Sequence, residues 1–132
     1  MISDELKSHL KTLENWPNSW QYSKIDIPLG ERMLHAAFIP FFEHLISKNL
    51  TRKTIKRHGD NIWLLGGEII ARTYDDESLR ERGGLEVVLE FIDESGGPYS
   101  KHLDTEEDFE SFDRSCRKLY KFLSTLSTAD TD

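Results

Sequence analysis

The stretch from Leu50 to Tyr74, LTRKTIKRHGDNIWLLGGEIIARTY, constrains this chain more than any other. Thr51 suits an N-cap, because its hydroxyl accepts from a backbone N–H two or three residues on. Leu50 then falls at N′ and Ile55 at N4, the two positions of a hydrophobic staple. Ile55, Ile62, Leu65 and Ile69 recur at helical spacing, and Trp63, Leu64 and Ile70 widen the stripe. Arg52, Lys56 and Asp60 fall at i, i+4 and i+8 and mark a wet face. The pair Gly66-Gly67 costs the helix about 1 kcal/mol per residue relative to alanine. Close approach of another helix would explain the pair; a break there into two shorter helices is the alternative. Tyr74-Asp75-Asp76 ends the run.

The flanking text predicts an all-α, single-domain bundle over residues 1–132 with about five helices. A helix over residues 31–48 carries Met33, Leu34, Ala37, Phe38, Phe41, Phe42 and Leu45, with Pro40 expected to kink or split it near Ile39. Asn49 suits the C′ position, so the 31–48 and 51–74 helices form the central hairpin. Upstream, Ser3 caps a first helix that runs to about Trp16 and stops at Pro17-Asn18-Ser19. Trp20 to Leu29 reads as an extended arm packed on the helices. Downstream, DDESLRERGG reads as a short helix or ordered loop. Leu85, Val88, Leu89 and Ile92 have helical spacing, with a buried strand as the rival because of Val87-Val88. Thr105 and Asp108 form a capping box for a C-terminal helix over 105–126, and residues 127–132 read as a frayed tail.

Charge and cysteine content narrow the function classes. The formal net charge of −7 opposes nucleic acid and anionic membranes as bulk partners. A single cysteine, Cys116, excludes an internal disulfide and fits a reducing compartment. No apolar run approaches the roughly 18 residues of a membrane span, and MISDELKSHLK lacks the apolar core of a signal peptide. A cytoplasmic protein without membrane contact is the expectation.

Candidate chemistry is sparse. His9, His35, His44, His58 and His102 lie on different elements, with no HExxH and no zinc-finger spacing, so neither metal nor cofactor is expected. Cys116 has Arg114, Arg117 and Lys118 nearby, but its spacing puts it with Phe112 and Leu119 in the core. Between Glu86 and Asp113 the carboxylates are strung through loops and helix starts, with Lys101 among them. That pattern reads as a solvated acidic surface. The basic residues Lys48, Arg52, Lys53, Lys56 and Arg57 lie in a stretch without an acid, at and just inside a helix N-terminus. They form the candidate nucleic-acid patch.

FFEHLISKNLTRKTIKRHGDNIWLL resembles the start of the helical core-binding domain of tyrosine recombinases (phage integrases). Phe41, Phe42, Leu45, Leu50, Thr51, Thr54 and Ile55 match its aromatic helix, short turn and Leu-Ser/Thr-x-x-Thr-Ile opening. The likeness spans residues 38–70 and implies a small helical bundle gripping DNA near Lys53 and Arg57. The family's catalytic arginines, histidines and tyrosine have no counterpart here, HxxR does not occur, and the second half is acidic. The function expected first is therefore a non-enzymatic interaction module holding a protein partner through Trp16, Trp20 and Tyr99. The alternative is a nucleic-acid-binding accessory protein of mobile-element origin that uses the basic helix start. The apolar stripes are also wide enough to admit a homodimer.

Overall fold

A computed structural model describes residues 2–131, with side chains described from Ile2 to Leu126. The expected fold class holds: the described residues are helical with no strand, apart from an isolated bridge between Asp93 and Gly96. The helices are α1 (Asp4–His9), α2 (Trp16–Trp20), α3 (Ile27–Met33), α4 (Ile39–Ser47), α5 (Arg52–Arg72), α6 (Gly84–Phe91) and α7 (Glu106–Thr131). The expected frayed tail, 127–132, lies outside the residues whose side chains are described.

Helix α5 is continuous through Gly66-Gly67, and its ends form as its residues dictate. The Thr51 hydroxyl accepts from the Thr54 N–H at 3.1 Å, and Asn49 supplies the left-handed turn with φ of 57°. Ile55 is buried and Leu50 half-buried, as a staple requires. The glycines admit an indole. A Cβ on Gly66 would lie 2.2 Å from Trp20 Cζ2, and one on Gly59 would lie 2.6 Å from Leu10 Cδ2. Both notches open toward the N-terminal segment, so α5 trades side chains for close approach there. Trp20 Nε1 donates to the Trp63 carbonyl at 2.9 Å. In return Trp63 Nε1 donates to Ser19 Oγ at 2.9 Å, and Ser19 Oγ donates to the Trp16 carbonyl. The indole N–H thus reaches a helix carbonyl that missing side chains have uncovered.

That docking corrects three expectations. The first helix does not reach Trp16: it ends at His9, Leu10 turns into the Gly59 notch, and a 3₁₀ turn over Leu13–Asn15 leads into α2. Pro17 starts α2 instead of stopping a helix, because a first-turn residue needs no backbone N–H. The predicted extended arm is a 3₁₀ turn (Lys24–Asp26) followed by α3, with Pro28 again in a first turn. The buried Asp26 carboxylate fixes that turn: Oδ2 accepts from the backbone N–H of Tyr22 at 2.8 Å and of Ser23 at 3.2 Å. Finally, Trp16 and Trp20 are each 4 % exposed, so neither offers a partner surface. Trp16 meets Phe42 edge-on at 5.8 Å and Trp20 meets Phe38 edge-on at 6.0 Å, and these aromatic pairs form the centre of the core.

The helix predicted to start at Glu31 begins four residues earlier, at Ile27, and runs to Ser47. It absorbs Pro40 through a π segment over Leu34–Phe38, whose wider turn makes room for the proline ring where α-helical geometry would clash. Ala37, Phe38, Phe41, Phe42 and Leu45 are all buried along it. The expected helix forms over Gly84–Phe91 and ends at the extended Ile92, and α6 approaches α3 closely: a Cβ on Gly84 would meet the Arg32 carbonyl oxygen. Helix α7 lies antiparallel to α5, since Ser115 faces His58 and Ser111 faces Asn61. Its capping box is complete, with Asp108 N donating to Thr105 Oγ1 at 3.0 Å and Thr105 N to Asp108 Oδ2 at 3.4 Å.

The two central glycines should respond in opposite ways. Gly66→Ala forces a methyl into the Trp20 ring, and overpacking of this kind destabilises by about 1–3 kcal/mol. Gly67→Ala meets nothing closer than 3.4 Å, so it keeps up to about 1 kcal/mol of helix propensity. Urea unfolding of both variants checks this, and equal midpoints would contradict the notch.

Candidate functional site

The five predicted basic residues are all exposed, but they divide between two faces of the hairpin. Arg52 and Lys56 line a cleft against the end of α1, where Arg52 Nη1 donates to the Ser8 carbonyl at 2.9 Å and Lys56 pairs with Asp60 at 3.5 Å. Lys53 and Arg57 carry no hydrogen bond or ion pair among the described residues, and Lys48 is the exposed C-cap of α4. Arg57 belongs with two residues that sequence reasoning left out of the patch, Arg114 and Lys118 of α7. All three lie close enough to His58 to disfavour its protonation. Their i, i+4 spacing on α7 was readable, but their position beside α5 depends on the antiparallel packing.

His58 itself is not a surface group. It is 3 % exposed between α5 and α7, with Nδ1 at 2.7 Å from Ser115 Oγ. Asn61 Nδ2 donates to Ser115 Oγ at 2.9 Å and to the Ser111 carbonyl at 3.0 Å. With the ring neutral, Ser115 accepts from Asn61 and donates to His58 Nδ1, which leaves the ring proton on Nε2. Burial, then the charges of Lys118, Arg57 and Arg114, bring the His58 pKa from 6.5 down to about 4. Cys116, next to this network, is fully buried. Desolvation, and then Asp113, push its thiol pKa up, which makes it a poor nucleophile. Among the described residues no group of three or more His, Cys, Asp or Glu side chains is placed to hold a metal ion.

The exposed aromatic surface lies elsewhere than predicted. Tyr22 is 71 % exposed, Tyr74 47 % and Trp63 41 %, and these rings are held in place rather than loose. Tyr74 Oη donates to Asp26 Oδ2 at 2.8 Å, the Arg80 guanidinium lies 4.6 Å over the Tyr74 ring, and Tyr22 meets that ring edge-on at 5.6 Å. Partial burial and the bond to Asp26 push the Tyr74 phenol pKa up. Asp26 and Arg80 face each other at 3.7 Å, an ion pair that joins the Lys24–Asp26 turn to a second 3₁₀ turn over Glu77–Glu81. Tyr22 and Trp63 share a cleft of about 490 Å³ with Leu64, Glu68, Lys101 and His102. Tyr99, the one predicted partner residue that is exposed, precedes Lys101 in the segment along this cleft and stacks on Phe109 at 5.8 Å.

Trp63 was legible as an exposed residue, although it was read into the apolar stripe. It stands eleven residues after Arg52, three turns on, which returns it to within about 20° of the wet face defined by Arg52, Lys56 and Asp60. Tyr22 gave no such signal, because its exposure follows from the Asp26-centred turn.

The His58 shift fixes the sign of a pH dependence. The folded pKa is the lower one, so the unfolded chain binds the additional proton between pH 6.5 and about 4. Its stabilising contribution is complete above pH 6.5 and falls by up to about 3 kcal/mol as the pH drops to 4. Urea midpoints at pH 7 and 4.5 should therefore differ more for the native chain than for His58→Gln. A variant with the same pH slope would place the acid sensitivity elsewhere.

Compared with protein-family models, curated protein sequences and solved structures, the chain matches none. Among the described residues no helix is long and apolar enough to cross a membrane.

Proposed function

We propose that this chain is a non-enzymatic interaction module that holds a protein partner on the face formed by Tyr22, Trp63 and Tyr74. The observation that carries this reading is that the rings are both exposed and immobilised. Tyr74 is tied to Asp26 and Trp63 to Ser19, while Tyr22 rests on the Tyr74 ring. Aromatic anchors held in this way lose little freedom on binding, and tyrosine and tryptophan dominate interface energetics for that reason. The cleft between Tyr22 and Trp63 admits an apolar side chain of the partner. Lys101, His102 and Glu68 at its edge supply polar contacts around that anchor, the usual division between interface core and rim.

A photo-crosslinking residue in place of Tyr22, in the full chain expressed in its source cells, tests this directly. A discrete crosslinked species is expected at position 22 and not at Lys24, an exposed residue of the adjoining turn. A product of twice the chain mass would identify a second copy as the partner. Equal labelling at both positions would contradict the reading.

A second reading, nucleic-acid binding, draws support from the convergence of Arg57, Arg114 and Lys118 beside the exposed Lys53 at the positive end of α5. The resemblance of residues 38–70 to a DNA-gripping recombinase domain points to the same helix start. Thr51, Thr54 and Ile55 of that motif also have a local role here, as cap and staple. On this reading duplex DNA binds at low salt, and Lys53→Glu with Arg57→Glu lowers the slope of log affinity against log salt by about 1 per lost phosphate contact. No binding at low ionic strength would remove it.

A further inference from the structure

We infer that the cleft between the end of α1 and the outer face of α5 binds a mononucleotide-sized ligand, an aromatic ring carrying a phosphate. The cleft encloses about 460 Å³, within the roughly 300–1,000 Å³ typical of small-molecule sites. Its lining is ordered by chemistry along a single helix face. Arg52 and Lys56 stand at the positive end of α5, Asp60 follows one turn on, and Trp63 comes after it. Lys11, from the turn after α1, adds a third cation opposite Arg52 and Lys56. The order cation, carboxylate, indole matches the order phosphate, sugar hydroxyls, base.

Each part has the capacity for its role. Arg52 uses one N–H on the Ser8 carbonyl, which orients the guanidinium and leaves further donors for a phosphate oxygen. Among the described residues Lys56 is held only by the exposed Asp60 at 3.5 Å, a weak pair that an incoming phosphate displaces, freeing the carboxylate to accept from hydroxyls. Lys56 and Trp63 are two turns apart, about 10 Å along the axis, a span suited to one nucleotide. The Trp63 indole is fixed by its bond to Ser19, so it offers a stacking surface without being ordered first. Gly59 and Leu10 close the cleft between the two ends. This site shares Trp63 with the proposed partner face but uses neither Tyr22 nor Tyr74, and it needs neither Lys53 nor Arg57.

Calorimetric titration of the full chain with adenosine 5′-monophosphate at low salt, with tryptophan fluorescence in parallel, tests the inference. Saturable one-to-one binding with a submillimolar Kd is expected. Adenosine alone and inorganic phosphate alone should each bind at least about tenfold more weakly. Lys11 and Lys56 are exposed, so Lys11→Gln with Lys56→Gln should leave the thermal midpoint in place and weaken binding by about tenfold or more. Lys53→Gln, on the other face, should leave it unchanged. Absence of saturation at millimolar nucleotide, undiminished binding by the double variant, or equal loss with Lys53→Gln would each overturn the assignment.

Discussion

The Trp20 indole lies against bare backbone at Gly66 and donates its N–H to the Trp63 carbonyl, and much of the molecule is positioned by that contact. A side chain at residue 66 would fill the space the ring occupies. With the ring in place, α2 is fixed on α5, Phe38 packs against its edge, and Ser19 is set to receive the Trp63 N–H. The same clamp therefore builds the core on one side and orients an exposed indole on the other. A helix-disfavouring glycine is tolerated because the indole it admits brings both apolar burial and a partly buried hydrogen bond.

The functional surfaces follow from how α5 is surrounded. Its Gly59–Gly66 side receives the N-terminal segment, its His58–Asn61 side receives α7, and the Arg52–Lys56–Asp60–Trp63 stripe remains open between α1 and α2. One helix thus serves as core, scaffold and surface. The net charge of −7 describes the whole chain, yet locally the start of α5 and the facing part of α7 are basic. That local field accounts for a neutral histidine at the centre of the α5–α7 contact, where a protonated ring would sit among three cations. The Asp26–Tyr74–Arg80 set plays the equivalent fixing role at the far end of α5.

What the sequence made legible was local. The Thr51 cap, the Leu50–Ile55 staple, the Asn49 turn and the Thr105–Asp108 box depend on residues within a turn of one another, and each formed as read. In residues 10–30 the local signals, such as Asp26 accepting from the Tyr22 and Ser23 N–H groups, are outweighed by long-range contacts. Two 3₁₀ turns and two short helices are held there by Leu10 in the Gly59 notch, Trp20 in the Gly66 notch and Asp26 under Tyr74. Tryptophans in a proline-bounded, polar stretch resemble surface anchors in one dimension, and the Gly66 notch inside another helix reverses that. Pro40 was readable as a disruption, but its resolution as a π segment depends on keeping Phe38, Phe41 and Phe42 all in the core. The basic patch was half legible: its α5 residues are adjacent in sequence, whereas Arg114 and Lys118 join through the packing of α7.

The Trp20 clamp is tested most directly by hydrogen exchange of the indole N–H groups, resolved by nitrogen-15 NMR. Trp20 Nε1–H, bonded to a helix carbonyl on a 4 % exposed residue, should exchange only with global unfolding of the chain. Trp63 Nε1–H, on a residue 41 % exposed, should exchange far faster despite its bond to Ser19. If the Trp20 indole proton exchanged as rapidly as that of Trp63, the notch at Gly66 would not be holding it, and the placement of α2 on α5 would have to be rebuilt.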